Sequence, residues 1–219
     1  MKKLALILII PIIIIMSASA FPYAKTMDGK IGTGYASDPE KFGWQLNFAW
    51  LADLDPFFAL GFEPGFYWAT WEKKVSSVEV GEVGANVKAD SDAYIIPVLA
   101  DAQIRFPNLQ SRLHVIPYLT LGLGYSFMIL HYATPEYDDS GGQHHDSDTQ
   151  TKFFHGFTWQ LMLGMAYDPG QSSKIKFIAE VGYRGAKLSK GNLEIDMSGV
   201  VLNIGVKYPL GESEPAKSI

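Results

Sequence analysis

Residues 43 to 68 read GWQLNFAWLADLDPFFALGFEPGFYW. Trp44, Leu46, Phe48 and Trp50 alternate with Gln45, Asn47 and Ala49, and Phe62, Phe66 and Trp68 alternate with Glu63, Gly65 and Tyr67. Side chains leave a strand on opposite faces in turn, so strict alternation of large apolar with polar or small residues marks strands. It also forces a choice of which face is inside. A soluble sandwich buries the Trp and Phe, whereas a barrel in lipid turns them outward.

The charges inside the strands decide. Turn residues cut the chain after residue 20 into eight alternating pieces near 29–37, 43–53, 57–72, 93–106, 113–131, 152–167, 174–188 and 197–210. With the large apolar set placed outward, Gln45, Asn47, Glu63, Asp101, Gln103, Arg105, Thr120, Ser126, Gln160, Lys176, Glu180, Arg184, Asn203 and Lys207 face inward. The opposite set is Trp, Phe, Leu, Ile and Val, as in Leu119, Leu121 and Leu123 or Val200, Leu202, Ile204 and Val206, and holds no charge. A solvated outer face does not exclude charge so completely. The polar face also carries Gly61, Gly65, Gly122, Gly124, Gly164, Gly182 and Gly205, small residues that suit a narrow, filled interior. A helix over 115–130 is the competing reading of that uncharged run, but Pro117, Gly122, Gly124 and the alternating Leu favour a strand.

Loop lengths and aromatics point the same way. The links at 54–56, 106–112 and 168–173 are short and rich in Pro, Gly, Asn, Asp and Ser, whereas those around 73–92 and 132–151 are long and polar. Links at 38–42 and 189–196 are intermediate. Trp44, Trp68, Trp71, Tyr94, Tyr125, Phe127 and Phe157 lie near the long-loop strand ends, and Phe57, Phe58, Phe106, Tyr167 and Tyr208 near the short-turn ends, as two interfacial girdles would. The fold class expected is all-β: a closed, antiparallel, eight-stranded, up-and-down transmembrane β-barrel occupying 21–210. A charge-balanced, plugged polar lumen goes with it. A lipocalin-like or sandwich core is the soluble alternative.

Residues 1–20, MKKLALILIIPIIIIMSASA, read as a cleaved export signal: Lys2 and Lys3, an apolar stretch from Leu4 to Met16, then Ala18-Ser19-Ala20. Thirteen apolar residues fall short of the roughly 20 that span a bilayer. Without Lys2 and Lys3 the chain holds 16 Lys and Arg against 23 Asp and Glu, a balance that argues against a nucleic-acid partner. With no Cys in the sequence there is no disulfide framework to place. The polar tail 211–219 is expected to lie outside the barrel.

The last strand, VVLNIGVKYPL, places Asn203, Gly205, Tyr208 and Leu210 in the pattern polar–x–Gly–x–x–aromatic–x–hydrophobic. This resembles the C-terminal signal read by the bacterial barrel-assembly machinery. With the export signal and the strand count, the chain resembles small Gram-negative outer-membrane barrels such as the OmpA transmembrane domain, OmpX and OmpW. It departs from the pattern because nine residues follow Leu210. The resemblance implies an outer-membrane location, outer-membrane lipids and the assembly machinery as partners, and a monomer. It does not fix activity, since small barrels serve as anchors, adhesins, pores and lipid-modifying enzymes.

The interior candidates are Glu63, Asp101 and Glu180 against Arg105, Lys176, Arg184 and Lys207, three acids and four bases that can pair across the lumen. Glu63 and Asp101 should repel unless a base such as Arg105 or Arg184 lies between them. No cofactor is expected. The loop YDDSGGQHHDSD contains His144, His145, Asp146 and Asp148, ordinary ligand types whose spacing matches no closed metal site; a solvated acidic loop is the better reading. His145-Asp146-Ser147 and the pair His155 and Thr158 have residue types that an acylhydrolase uses, with no acid placed on a neighbouring strand to follow either pair, so the chain reads as a non-enzyme. The function expected is a structural or surface-interaction role, with loops 75–91 and 132–151 available to an extracellular ligand. A narrow pore, or an OmpW-like conduit for small hydrophobic molecules through an upper lumen around Tyr67 and Tyr118, is the alternative. A lipid-modifying enzyme is the second alternative.

Overall fold

A computed structural model describes residues 25–75, 87–110, 114–134, 137–138, 144–145, 148–170 and 174–210. The expected export signal, the polar tail, residues 76–86, and Asp139, Ser140 and Asp146 lie outside those residues, and side chains are described only outside 72–90 and 133–148. The strands are β1 (Lys25–Ala36), β2 (Lys41–Asp53), β3 (Phe58–Val75), β4 (Val87–Arg105), β5 (Val115–Thr134), β6 (Tyr137–Asp138), β7 (His144–His145), β8 (Asp148–Tyr167), β9 (Lys176–Lys190), β10 (Leu193–Asp196) and β11 (Gly199–Leu210). A one-turn 3-10 helix, Pro107–Leu109, sits between β4 and β5.

Each long strand pairs antiparallel with its neighbour in sequence, β8 pairs β9, and β11 returns to β1, so the sheet closes. β10 and β11 are one strand interrupted at Met197 and Ser198: the same register carries Asp196 opposite Lys187 and Gly199 opposite Arg184. The barrel therefore has eight staves. Following registered partners once round, Asp53 meets Ala59, then Gln103, Thr120, Met162, Gly182, Val201, Gly34 and finally Gly43. The circuit returns to β2 ten residues from where it left, and this stagger tilts the staves against the barrel axis.

The turns sort by end. Residues 54–57, 106–114 and 168–175 join strands at one end, where Lys25 and Leu210 also lie. The other end carries the two long links and two tight ones. The links read as intermediate close in four residues at 37–40 and two at 191–192, with Gly191 at φ 62° supplying the left-handed residue that a two-residue turn needs.

Facing follows the alternation. Trp44, Leu121, Leu163, Phe177 and Ile204 are exposed on the outer wall, while Gln45, Glu63, Asp101, Gln160, Glu180 and Asn203 are buried in the lumen. Trp68 stacks on Tyr94 and Tyr125 lies against Phe127 in the outer girdle near the long-loop end. Phe57, Phe106, Tyr167 and Tyr208 are exposed near the other end. Trp71 does not join the girdle. It falls on the inward register of β3 and packs against the interior.

Candidate functional site

The lumen is built in layers, and the wall dictates each of them. In β1, KTMDGKIGTGYA, Asp28 and Lys30 take the inward positions. Lys30 is the hub. Its Nζ donates to Glu63 Oε2 at 2.5 Å, from β3, and to Glu180 Oε2 at 3.1 Å, from β9, so one lysine bridges carboxylates on widely separated staves. Glu180 also accepts from Tyr118 Oη at 3.0 Å and Asn203 Nδ2 at 3.2 Å, and Glu63 accepts from Gln160 Nε2 at 3.2 Å. Gln45 donates to Asn203, which ties β2 to β11 across β1.

Below the hub, toward the short-turn end, Lys207 Nζ lies 2.9 Å from Asp28 Oδ2, and these two residues face each other in the β1–β11 register. At the base, Arg105 pairs with Asp53 at 2.7 Å and its Nε donates to Gln103. Lys176 reaches Asp168 in the adjoining turn at 3.5 Å. Above the hub, Arg184 Nη2 approaches Gln160 Oε1 at 3.5 Å, and Thr158 donates to Ser126 at 2.6 Å.

The upper lumen is apolar. Ala36, Tyr67, Ala69, Ala93, Ile95, Met128, Leu130, Phe154, Ala186, Leu188 and Met197 form one buried cluster, with Trp71, Tyr132 and Ile195 packed on it. Between this cluster and Arg184 lies a cavity of about 10 Å³, room for about one water molecule.

All seven charged residues named from the sequence lie on the inner side of the wall, but their partners differ from those expected. Lys30 lies between Glu63 and Glu180, whereas Glu63 and Asp101 meet side chain to side chain, and neither Arg105 nor Arg184 pairs with them. β1 begins at Lys25, four residues before the expected start, which adds Asp28 to the lumen; Lys30 falls inside the expected strand, and its inward parity gives it the central position. The buried charges lie in the middle and lower lumen, beside small apolar clusters of Ala49, Leu51 and Ala59 and of Tyr118, Ala166 and Ile178. Tyr118 belongs there, since β5 rises from Val115 at the short-turn end; only Tyr67 lines the upper lumen.

In β11, Asn203 and Lys207 point into the lumen, while Tyr208 and Leu210 are exposed on the wall. A Cβ on Gly205 would run into the carbonyl oxygen of Gly29 across the β1–β11 seam. His144 and His145 form β7 and Asp148 begins β8. Among the described residues no group of three or more His, Cys, Asp or Glu could hold a metal ion. His155 and Thr158 do not meet: His155 lies on the outer wall with Nδ1 2.5 Å from Tyr125 Oη, while Thr158 faces the lumen.

A closed eight-stranded barrel with an uncharged apolar wall between two aromatic girdles, and its charge turned inward, is an integral membrane β-barrel of the outer-membrane class. No protein-family model matches the chain. No curated protein matches it. Solved structures do. A major outer membrane protein from Thermus thermophilus is 16% identical at TM-score 0.51, matching 86% of this chain and 100% of its own. The outer membrane protein OprG from Pseudomonas aeruginosa is 14% identical at TM-score 0.51, over 87% of this chain and 97% of its own. At such identities the likeness is one of fold.

Proposed function

We propose that the protein is a sealed outer-membrane scaffold that presents a β-sheet surface to partners outside the cell. Uneven strand length carries the reading. β2 pairs with β3 only as far as Trp44 opposite Trp68, yet β3 and β4 continue paired to Val75 opposite Val87. β9 leaves β8 at Ser189 opposite His155, yet β5 and β8 continue to Thr134 opposite Asp148, and β6 and β7 resume the same register. β3, β4, β5 and β8 thus rise above the rest of the rim. Among the described residues, 69–75 of β3 and 148–154 of β8 have no ladder partner on their outer sides. Unpaired strand edges are templates to which another chain can add a strand.

The lumen supports the sealed half of the reading. An eight-stranded barrel leaves an interior that side chains fill, and here an ion-paired layer lies under an apolar one. Ions crossing it would have to break the Lys30 hub and then enter an apolar layer that offers no solvation. The long loops face outward in this reading, which leaves both ends of the barrel chain on the periplasmic side.

Two measurements test it. Purified protein in planar bilayers should give no regular single-channel steps; steady steps would favour the narrow-pore alternative. Cells displaying the protein should adhere to immobilised matrix or serum proteins, and a variant whose two rising hairpins are cut back, residues 70–92 and 131–151 each replaced by Asn-Gly, checked as folded by its heat-dependent gel mobility, should lose that adhesion. Undiminished adhesion by the trimmed barrel would sink the sheet-edge reading.

A further inference from the structure

The long-loop rim separates its charges by face. Lys41 lies opposite lumen-facing Ala36, Lys190 follows lumen-facing Leu188 by two residues, and Lys152 follows the same inward register of β8 as Phe154. Apart from Glu40, exposed in the turn beside Lys41, the described acids of this rim turn the other way or are already engaged. Glu194 is on the outer face with Lys187 at 3.9 Å, Asp92 accepts from Thr70 on the outer face, and Asp38 accepts from the Asp196 amide at 2.9 Å. In a chain with more acids than bases, the inward side of the mouth is therefore basic among the residues whose side chains are described.

Beneath these lysines the surface is apolar. Trp71, Tyr132 and Ile195 are half-buried, packed downward on the interior cluster with the remainder of each side chain uncovered. Lys152 Nζ stands 4.9 Å from the centre of the Tyr132 ring, and Tyr132 donates to Gln150 at 2.5 Å. The aromatic is thereby held with a cation over one face.

We infer that this mouth is a binding cup for a small amphipathic organic anion. An apolar body rests on Trp71, Tyr132 and Ile195, and a carboxylate, sulfonate or sulfate meets Lys41, Lys152 and Lys190. Burying the body removes apolar area from water on both sides, while the lysines select the sign of the head group. A neutral apolar molecule lacks the second interaction and an inorganic anion the first. The cup rests on the sealed-lumen reading, because its floor is the apolar layer of that seal.

The test uses full-length protein in nanodiscs of zwitterionic lipid, with empty nanodiscs as blank, and calorimetric titration of 1-naphthalenesulfonate. Saturable binding is expected, with naphthalene and methanesulfonate giving none above blank. Lys152→Gln and Lys190→Gln should each weaken binding about fivefold, the most that an exposed charge contact commonly supplies. Trp71→Ala should abolish it, and Lys187→Gln on the outer face should leave it unchanged. Because Trp71→Ala removes packing, Trp71→Phe is the companion variant and should retain binding. Equal binding of naphthalene, or equal losses from Lys187→Gln and Lys152→Gln, would overturn the cup. Single-channel recording on the same samples separates the two readings: a barrel that conducts yet binds loses its seal and keeps its cup, and a silent barrel that does not bind keeps the seal alone.

Discussion

Replacing Lys30 by Met tests the hub, because Met matches the unbranched stem of lysine as far as Cε and removes the ammonium with its charge and donors. Lys30 serves two carboxylates at once, Glu63 at 2.5 Å and Glu180 at 3.1 Å, all three buried. Breaking one buried pair by removing a partner costs about 3–5 kcal/mol. Here the loss falls unevenly. Glu180 keeps donors in Tyr118 and Asn203, whereas Glu63 keeps one amide donor, Gln160, and faces a second carboxyl, Asp101. Lys30→Met should therefore cost about 3–5 kcal/mol, most of it through Glu63. Adding Glu63→Gln should recover more of the loss than adding Glu180→Gln. Urea titration of the barrel folded into thin-bilayer vesicles, read by tryptophan fluorescence and gel mobility, gives the three values. As a reference, Lys187→Met breaks an exposed pair and should cost no more than about 1 kcal/mol. If Lys30→Met is no worse than Lys187→Met, the lumen is hydrated enough to solvate two free carboxylates and the sealed reading fails with it. If Glu180→Gln rescues better than Glu63→Gln, the division of donors is wrong.

Other expectations follow from the same wall and seam. Leu121 is exposed on the outer wall and Thr120 buried in the lumen, so Leu121→Arg should cost about 2–4 kcal/mol in bilayer stability through exposure to lipid. A companion Leu121→Ser should cost less than the arginine, and a larger loss from serine would contradict lipid contact. Asp28→Lys with Lys207→Asp should fold to a greater extent than either reversal alone, since the two residues face each other across the β1–β11 seam; no recovery in the double variant would remove this pair as a register lock. The sequence has no Cys, so a single Ser140→Cys can report topology: an impermeant thiol reagent should label it on intact cells, and labelling only after outer-membrane rupture would invert the barrel.

The staves and their facing could be read from the sequence because period-two alternation is strong where one side is Trp, Phe and Leu and the other is Gln, Glu and Gly. β1 lacks that contrast. Its outward positions are Met27, Gly29, Ile31 and Thr33, small or mixed, so alternation places its start too late to include Asp28 and offers no contrast to mark Lys30 as inward. The signal that could have found them is a parity argument: Lys30 and Asp28 stand two and four residues from Gly32, on one face. Trp71 and Tyr118 failed for related reasons. Trp71 stands near a strand end, as girdle residues do, although the odd positions of β3 face inward, and the height of Tyr118 depends on which end of β5 enters first. The apolar upper lumen obeys the same parity, through Ile95, Met128, Leu130, Phe154 and Leu188, but where both faces of a strand are apolar no contrast marks the inner one. Pairing partners across the lumen were not legible at all, because they depend on the stagger, which no single strand encodes.

That stagger has a consequence for what the protein can become. Eight staves displaced by ten residues per circuit fix the backbone radius at about 8 Å, from strand spacing and rise alone. No substitution in the interior alters that figure, since it is set by hydrogen-bond register and stave number. Trimming lumen side chains could at most bare a file of water inside an unchanged cylinder. A passage for larger solutes would need another hairpin spliced into the wall, a change of gene length rather than of side chain. Variation within this architecture is therefore channelled to the rim, where residues can be added or exchanged without disturbing the circumference.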